Sequence, residues 1–276
     1  MIFYALHLPK ADEERVSFLR SAAAKLKIKF CAVDPYSFDF SKTSPVKKGD
    51  IVYRVGRSKF LRVLENFFIT PDAATFYLDP MSRTGDPFAL AKNGVPTPRT
   101  IFCSVKKRTR LMQYVASLGG FPIILKALGG TRGLGVIKLD SFAALFGMAD
   151  YLLSQEKSFT LMEYIPVKNS ARFVVLGGRV IASYEYIAKD GDFRTNEAGT
   201  PTCRAKKYAD HLEKIAAKAT ATFGLEFGGV DMLIHGKNAY VTEVNFPCNF
   251  VRAQKLLHRD IALEMVQYLK NKAEGL

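Results

Sequence analysis

Cysteine is scarce in this chain and scattered. Cys31, Cys103, Cys203 and Cys248 are the only four in 276 residues. They include no CxxC pair, which excludes the usual zinc-ligand spacing and a disulfide framework, so reduced thiols are expected. No apolar run approaches the ~20 residues of a membrane span, and MIFYALHLPK has neither the basic start nor the long apolar stretch of a secretory signal. The expected location is therefore the cytoplasm, with no membrane partner. There is no internal repeat, no low-complexity segment and no long basic tail. Acidic residues are the minority charge, 26 against 40 basic, for a formal net charge of +14. That surplus admits nucleic acid, an anionic surface or an acidic substrate as partner. The aromatic–basic interleaving of RNA-binding motifs is missing, which argues against nucleic acid.

What is present is a globular composition, 48% hydrophobic and 24% charged, with room for one large or two to three small domains. Apolar periodicity predicts strands over 2–6, 29–33, 50–55 and 75–78, and helices over 12–26 and 58–68. The second helix carries Phe60, Leu61, Leu64, Phe67 and Phe68 as its apolar face. This alternation implies a small α/β unit with a parallel sheet, residues 1–81. A short helix over 87–93 and the stiff Gly94-Val95-Pro96-Thr97-Pro98 form a linker, residues 82–98. The rhythm then changes. Strands are expected over 122–128, 135–139 and 159–165, with a helix over 141–153, giving a unit of residues 99–166. Residues 167–276 follow, with hairpins over 172–186 and 230–246, a long helix over 204–223 and a closing helix over 255–270.

Two stretches carry chemistry. In GGVDMLIHGKNAYVTEVNFPCN, the Gly236 and Asn238 turn joins two period-two runs into a β-hairpin. Glu243 shares a face with Asn245 by strand alternation, as does Val241, and Asp231, beginning the first strand, lies roughly opposite. Two carboxylates and an amide oxygen, with no thiolate or imidazole, suit Mg²⁺ shared with phosphate oxygens; a solvated acidic hairpin face is the plainer alternative. The second stretch is ILKALGGTRGLGV, in which glycines let the backbone approach an anion and Lys126 can reach a phosphate. It lacks GxxxxGK[ST] and the dinucleotide fingerprint, and an unliganded hairpin turn would read the same way. His258-Arg259-Asp260 imitates a protein-kinase catalytic loop, but neither the required Asn nor a DFG follows.

Lys126 with GGTRGLGV, then Met162-Glu163-Tyr164-Ile165, Gly191-Asp192-Phe193-Arg194-Thr195-Asn196, Gly229-Val230-Asp231 and Glu243-Val244-Asn245 stand in the order found in ATP-grasp ligases. Most of the chain resembles the RimK-like type. The fold class this resemblance implies is α/β (α+β), the ATP-grasp fold: a small N-terminal α/β domain and two β-rich subdomains that sandwich ATP. The activity it implies is ATP-dependent carbon–nitrogen ligation, in which a carboxylate becomes an acyl phosphate that an amine attacks. The amine acceptor would be an amino acid, a peptide or a protein terminus. A macrocyclising peptide ligase and an inactive nucleotide-binding scaffold are the alternatives, and a homo-oligomer remains open.

The resemblance also implies roles. Asp231, Glu243 and Asn245 would hold Mg²⁺ or Mn²⁺. Lys126 and the loop residues Gly129, Gly130, Thr131, Arg132, Gly133 and Gly135 would cover the phosphates. Glu163, Tyr164 and Ile165 would line the adenine, Arg172 would contact the nucleotide, and Arg194 and Asn196 would be catalytic. Three departures from the family pattern stand out. Ala171 precedes Arg172 where an acidic residue is usual, Arg83 stands for a lysine, and Phe246-Pro247-Cys248-Asn249 replaces a small-residue-Pro-Gly segment beside the acceptor pocket. Cys248 is expected to be a packed thiol.

Overall fold

The computed structural model describes residues 1–79, 88–127, 134–189, 191–195 and 202–275. The elements in order are β1 (Ile2–Leu6), α1 (Glu13–Lys25), β2 (Lys29–Val33), β3 (Ile51–Arg54), α2 (Lys59–Phe68), α3 (Phe88–Lys92), β4 (Thr100–Cys103), α4 (Arg108–Ser117), β5 (Ile123–Ala127), β6 (Val136–Leu139), α5 (Phe142–Ser154), β7 (Phe159–Glu163), β8 (Asn169–Leu176), β9 (Arg179–Ile187), β10 (Thr202–Ala205), α6 (Asp210–Thr222), β11 (Phe227–His235), β12 (Asn238–Asn245), α7 (Val251–Leu257) and α8 (Ile261–Glu274). Among the described residues, no helix is long and apolar enough to cross a membrane.

They build three sheets. The first is parallel, in the order β2-β1-β3, as the alternation of strands and helices predicted. Apolar IFYAL lies at its centre and is buried at four of five positions. Helix α2 turns Leu61, Leu64 and Phe68 inward, spacings that fall on one helical face. Phe60, predicted for that face, is instead 58% exposed and meets Tyr36. The other two sheets are antiparallel, β4-β7-β5-β6 and β10-β9-β8-β11-β12. In the four-stranded sheet Ile123, Leu125, Phe159 and Leu161 pack with Leu111 and Val115 of α4 and Leu145 and Ala149 of α5. Alternation therefore sends Ile124 and Lys126 to the face opposite α4 and α5.

The five-stranded sheet is covered by α6 on one face, where Phe173, Val230, Met232 and Val241 meet Leu212, Ala216 and Ala219. Its other face shares a core with the N-terminal unit: Phe3, Leu19, Tyr53 and Phe76 pack in one cluster with Phe227, Phe246, Met265 and Leu269. Residues far apart in sequence thus bring the start of the chain against the last hairpin.

Two predicted helices divide. The one expected over 204–223 begins as β10, which pairs with β9 in the register Cys203↔Tyr186 and Arg204↔Glu185. Glu185 is buried, and Arg204 Nη2 and Lys206 Nζ donate to its two oxygens at 2.5 and 2.6 Å, so this segment is held at the sheet edge. The closing helix breaks at His258, which adopts left-handed φ 49°. Asp260 then caps α8, its Oδ1 accepting from Leu263 N at 3.1 Å. The kinase-like triplet is a helix boundary.

Candidate active site

The metal-candidate hairpin forms as expected, in the register Asp231↔Glu243 and Gly229↔Asn245 and with a β-bulge between Asp231 and Met232 that skips Thr242. The bulge changes the parity. Val241, expected beside Glu243 and Asn245, lies in the core under α6, while the two polar residues stay on the face of Asp231. An uninterrupted strand would have put an apolar side chain into a polar site.

On that face the polar groups form a chain. Arg172 Nε and Nη2 donate to Asp231 Oδ1 and Oδ2 at 2.6 and 2.8 Å, a two-pronged ion pair buried on both sides. Asn245 Nδ2 donates to Asp231 Oδ2 at 3.0 Å, which turns its Oδ1 outward. The Arg57 guanidinium donates to that Oδ1 and lies 4.0 Å from Glu243 Oε1. Burial pushes the Asp231 carboxyl up, and the facing Arg172 opposes this. Arg172 itself goes well above its ordinary range because Asp231, Tyr186 and Tyr184 outweigh the desolvation of its cation.

One glycine permits this packing. A Cβ on Gly229 would lie 2.5 Å from Arg172 Nη1 and 2.7 Å from Cys248 Sγ. Cys248 is wholly buried there, and burial pushes its thiol up, as suits a packed side chain. Phe246 and Phe250 are buried with it, while Asn249 is exposed. The unusual segment is therefore anchored by the buried run Phe246-Pro247-Cys248 and by Phe250, and Phe246 meets Tyr53 and Tyr77 of the N-terminal unit. Gly135, at φ +78° with Ala127 N donating to its carbonyl at 2.9 Å, closes the base of the β5–β6 hairpin.

Lys126 faces this cluster from the other antiparallel sheet. Desolvation lowers its pKa, and the charges that pull it back up are Glu243 and Asp231. The end of β7 joins the two sheets. Glu163 accepts from Arg99 N and Nε at 2.8 and 2.7 Å. Tyr164 packs edge-on to Phe193 and lies under Lys138 Nζ at 4.5 Å from the ring centre. Arg194 is held by Asp192, with Nη2 to Oδ2 at 2.7 Å, and Thr195 is tied to Ser170 by a 2.5 Å hydroxyl contact. The structure thus brings together Lys126, Arg172, Asp231, Glu243 and Asn245 and puts Glu163, Tyr164 and Ile165 at the end of β7, where the chain passes to β8 of the other antiparallel sheet. Gly129, Gly130, Thr131, Arg132, Gly133, Asn196 and Arg83 lie outside the described residues.

The donors fit a divalent cation shared with phosphate. Among the described residues no three His, Cys, Asp or Glu converge as a self-sufficient metal cage. Two carboxylates and one outward-turned amide oxygen do converge, and a guanidinium already sits against the outer two. Hard oxygen donors in that number leave positions for phosphate and water. Arg57 escaped the sequence reading because 188 residues separate it from Asn245.

A model of the RimK-like ATP-grasp domain matches residues 88–269. The chain belongs to the RimK-like ATP-grasp family. Similar members include a "Probable alpha-L-glutamate ligase" of Cellvibrio japonicus (strain Ueda107), 30% identical over 67% of this chain and 62% of that protein. Another so named, from Pasteurella multocida (strain Pm70), is 29% identical over 74% of this chain and 65% of that one. The chain spans just under two thirds of the length of these relatives. The fold is ATP-grasp. The structure of ATP-grasp ligase PsnB complexed with precursor peptide PsnA2 and AMPPNP matches at TM-score 0.73 and 17% identity, over 99% of this chain and 98% of that one. D-cycloserine synthetase DcsG matches at TM-score 0.72 and 15% identity, over 99% and 100%.

Proposed function

We propose that this RimK-like chain is an ATP-dependent carboxylate–amine ligase. The observation that carries the reading is the Lys126 ammonium on one sheet facing Asp231 and Glu243 on the other, in a chain of this family. A carboxylate oxygen attacks the γ-phosphorus of ATP and releases ADP; an amine then attacks the acyl carbon, the amide forms and phosphate leaves. Phosphoryl transfer of this kind needs positioning and charge neutralisation more than a dedicated base.

In this reading Lys126 neutralises phosphate oxygens, and the loop of Gly129, Gly130, Thr131, Arg132, Gly133 and Gly135 covers them. Glu163, Tyr164 and Ile165 present backbone groups to adenine at the hinge. Glu243 and Asn245 offer their outward oxygens to Mg²⁺ or Mn²⁺, with Asp231 behind them. The ion, when bound, supplies Lewis-acid neutralisation of phosphate charge. Arg172 acts through Asp231 by fixing the carboxylate. Arg194, oriented by Asp192, offers its remaining donors to developing oxyanion charge, with Asn196 beside it in sequence.

The names of the curated relatives support glutamate as a substrate, and the peptide complex of PsnB supports a peptide. The test is ADP release and hydroxylamine trapping of the acyl phosphate, against a panel of amino acids with and without acidic peptides. A hydroxamate that needs both ATP and a carboxylate is expected. ADP release that no carboxylate stimulates would sink the ligase reading.

A further inference from the structure

The side chain of Glu163 points away from the face that carries Lys126. In β7, Phe159 and Leu161 enter the core beneath α4 and α5, so alternation puts Glu163 on that side and Met162 on the side of Lys126. What the Glu163 carboxylate meets is Arg99. Arg99 N and Nε donate to its two oxygens at 2.8 and 2.7 Å, and Glu163 N donates back to Arg99 O at 3.0 Å. The same guanidinium serves a third element: Nη1 donates to Ser117 O at 3.0 Å and Nη2 to Leu118 O at 2.8 Å. These carbonyls end α4, where no further turn satisfies them, and α4 has no basic residue of its own in its last turn. Gly119, at φ +99°, leaves the room, since a Cβ there would lie 3.0 Å from Arg99 Nη2. Just upstream, Pro96 O accepts from Val241 N at 2.8 Å, and Val241 lies on β12 with Glu243 and Asn245. Pro96-Thr97-Pro98-Arg99 therefore runs from the metal-candidate strand of one sheet to the end of β7 in the other, and its two prolines stiffen the span.

We infer that Arg99 is a positioning residue for the nucleotide, and that the Glu163 carboxylate serves Arg99 and not the base. The pair sets the end of β7 against α4 and, through the proline span, against β12. The backbone of residues 163–165 is thereby held at a fixed separation from Glu243 and Asn245, the oxygens offered to the metal and phosphates. The inference rests on the reading that the base lies at residues 163–165. A rigid guanidinium fork suits the task, because it reaches a carboxylate and two carbonyls at once where an ammonium cannot. Arg99 is 58% exposed, and exposed ion pairs add little stability, so its loss should leave the fold in place and disturb the alignment.

The experiment measures calorimetric binding of AMPPNP, GMPPNP and inorganic tripolyphosphate, each with Mg²⁺, to the parent, Arg99→Met, Arg99→Lys, Glu163→Gln and Arg99→Met/Glu163→Gln. Backbone groups that match one base leave the other with unpaired donors, which predicts a preference for AMPPNP over GMPPNP of roughly 10- to 100-fold in the parent. In Arg99→Met this preference should collapse to about threefold or less. Tripolyphosphate affinity should stay within about twofold, since Lys126 and the metal-candidate oxygens are untouched. Arg99→Lys should recover part of the preference, because an ammonium still pairs with Glu163, and it decides in place of Arg99→Met should that variant melt below the assay temperature. Glu163→Gln should lose less, its amide oxygen still accepting from Arg99, and the double variant should lose no more than Arg99→Met alone. A preference kept in both Arg99 variants and lost in Glu163→Gln would overturn the inference, because the carboxylate would then face the base itself. So would equal weakening of AMPPNP and tripolyphosphate in Arg99→Met, the mark of a general loosening. A parent that binds AMPPNP and GMPPNP alike would remove the base from the end of β7 and the inference with it. Binding is read without turnover, so absence of ADP release would remove the ligase reading alone.

Discussion

Replacing Arg172 by Met removes one half of a buried pair and leaves Asp231 without its main counter-charge. The side chains of Arg172 and Asp231 are only 10% and 7% exposed, so water cannot take the place of the lost partner. Two charge-assisted hydrogen bonds, at 2.6 and 2.8 Å, disappear, and one from Asn245 at 3.0 Å remains. Breaking such a pair from one side costs about 3–5 kcal/mol. At about 2–4 °C per kcal/mol for a protein near this size, the melting temperature should fall by roughly 6–20 °C. The double variant Arg172→Met/Asp231→Leu removes both charges and should recover most of that stability, since buried pairs are often replaceable by apolar groups. Urea denaturation of the parent, the single and the double variant checks this. A loss below about 1 kcal/mol in the single variant would put the pair in the class of exposed ion pairs and refute the reasoning.

Gly229→Ala should destabilise by about 1–3 kcal/mol, because its Cβ would force Arg172 or Cys248 to move; denaturation midpoints measure it. Glu243→Gln should leave the melting temperature within about 2 °C, since the residue is exposed. The same change should reduce hydroxamate formation at least about 100-fold, and parent-like hydroxamate would remove Glu243 from the metal set. Cys248→Ser should keep most of the activity: a hydroxyl beside Arg172 can still bond, and a thiol pushed up by burial is a poor nucleophile. Loss of hydroxamate confined to that variant would shift the chemistry to sulfur.

The parallel strands β1, β2 and β3, the strands β5, β6 and β7 and the β8–β9 and β11–β12 hairpins were legible because each rests on local periodicity, whereas the strand expected over 75–78 forms only isolated bridges and β4 was not predicted. Helix α4 was not predicted, since its basic start, Lys106-Lys107-Arg108, obscures Leu111 and Val115, which alone turn inward. The bulge at Thr242 was equally invisible: Val241, Glu243 and Asn245 alternate perfectly in sequence, and only the pairing with β11 shows that one residue is skipped. β10 was read as helix because the contacts that hold it run from Arg204 and Lys206 to Glu185, outside any local window. The same limit hid Arg57. Its neighbours on β12 come from the other end of the chain, and the glycine that brings it there, Gly56, has space only for a hydrogen beside Asp12.

The charges on the site face bear on how a metal would arrive. Arg172 cancels Asp231, which leaves Glu243 as the one uncompensated carboxylate beside the neutral Asn245, and Arg57 in its present position cancels Glu243 as well. Affinity for hard cations rises with the number of charged ligands, and Mg²⁺ gives up its water reluctantly. With Lys126 facing the same carboxylates, the site carries no net negative charge and should therefore bind Mg²⁺ weakly by itself and tightly only with the phosphates of the nucleotide. Calorimetric titration with MgCl₂ should show no saturation at low millimolar concentration without AMPPNP and clear saturation with it. Arg57→Gln should strengthen the nucleotide-free binding by a few fold, because it removes the competing cation, and Arg172→Met should strengthen it more. Tight Mg²⁺ binding by the parent protein alone would refute this charge count and imply that Asp231 is released from Arg172 when the ion binds.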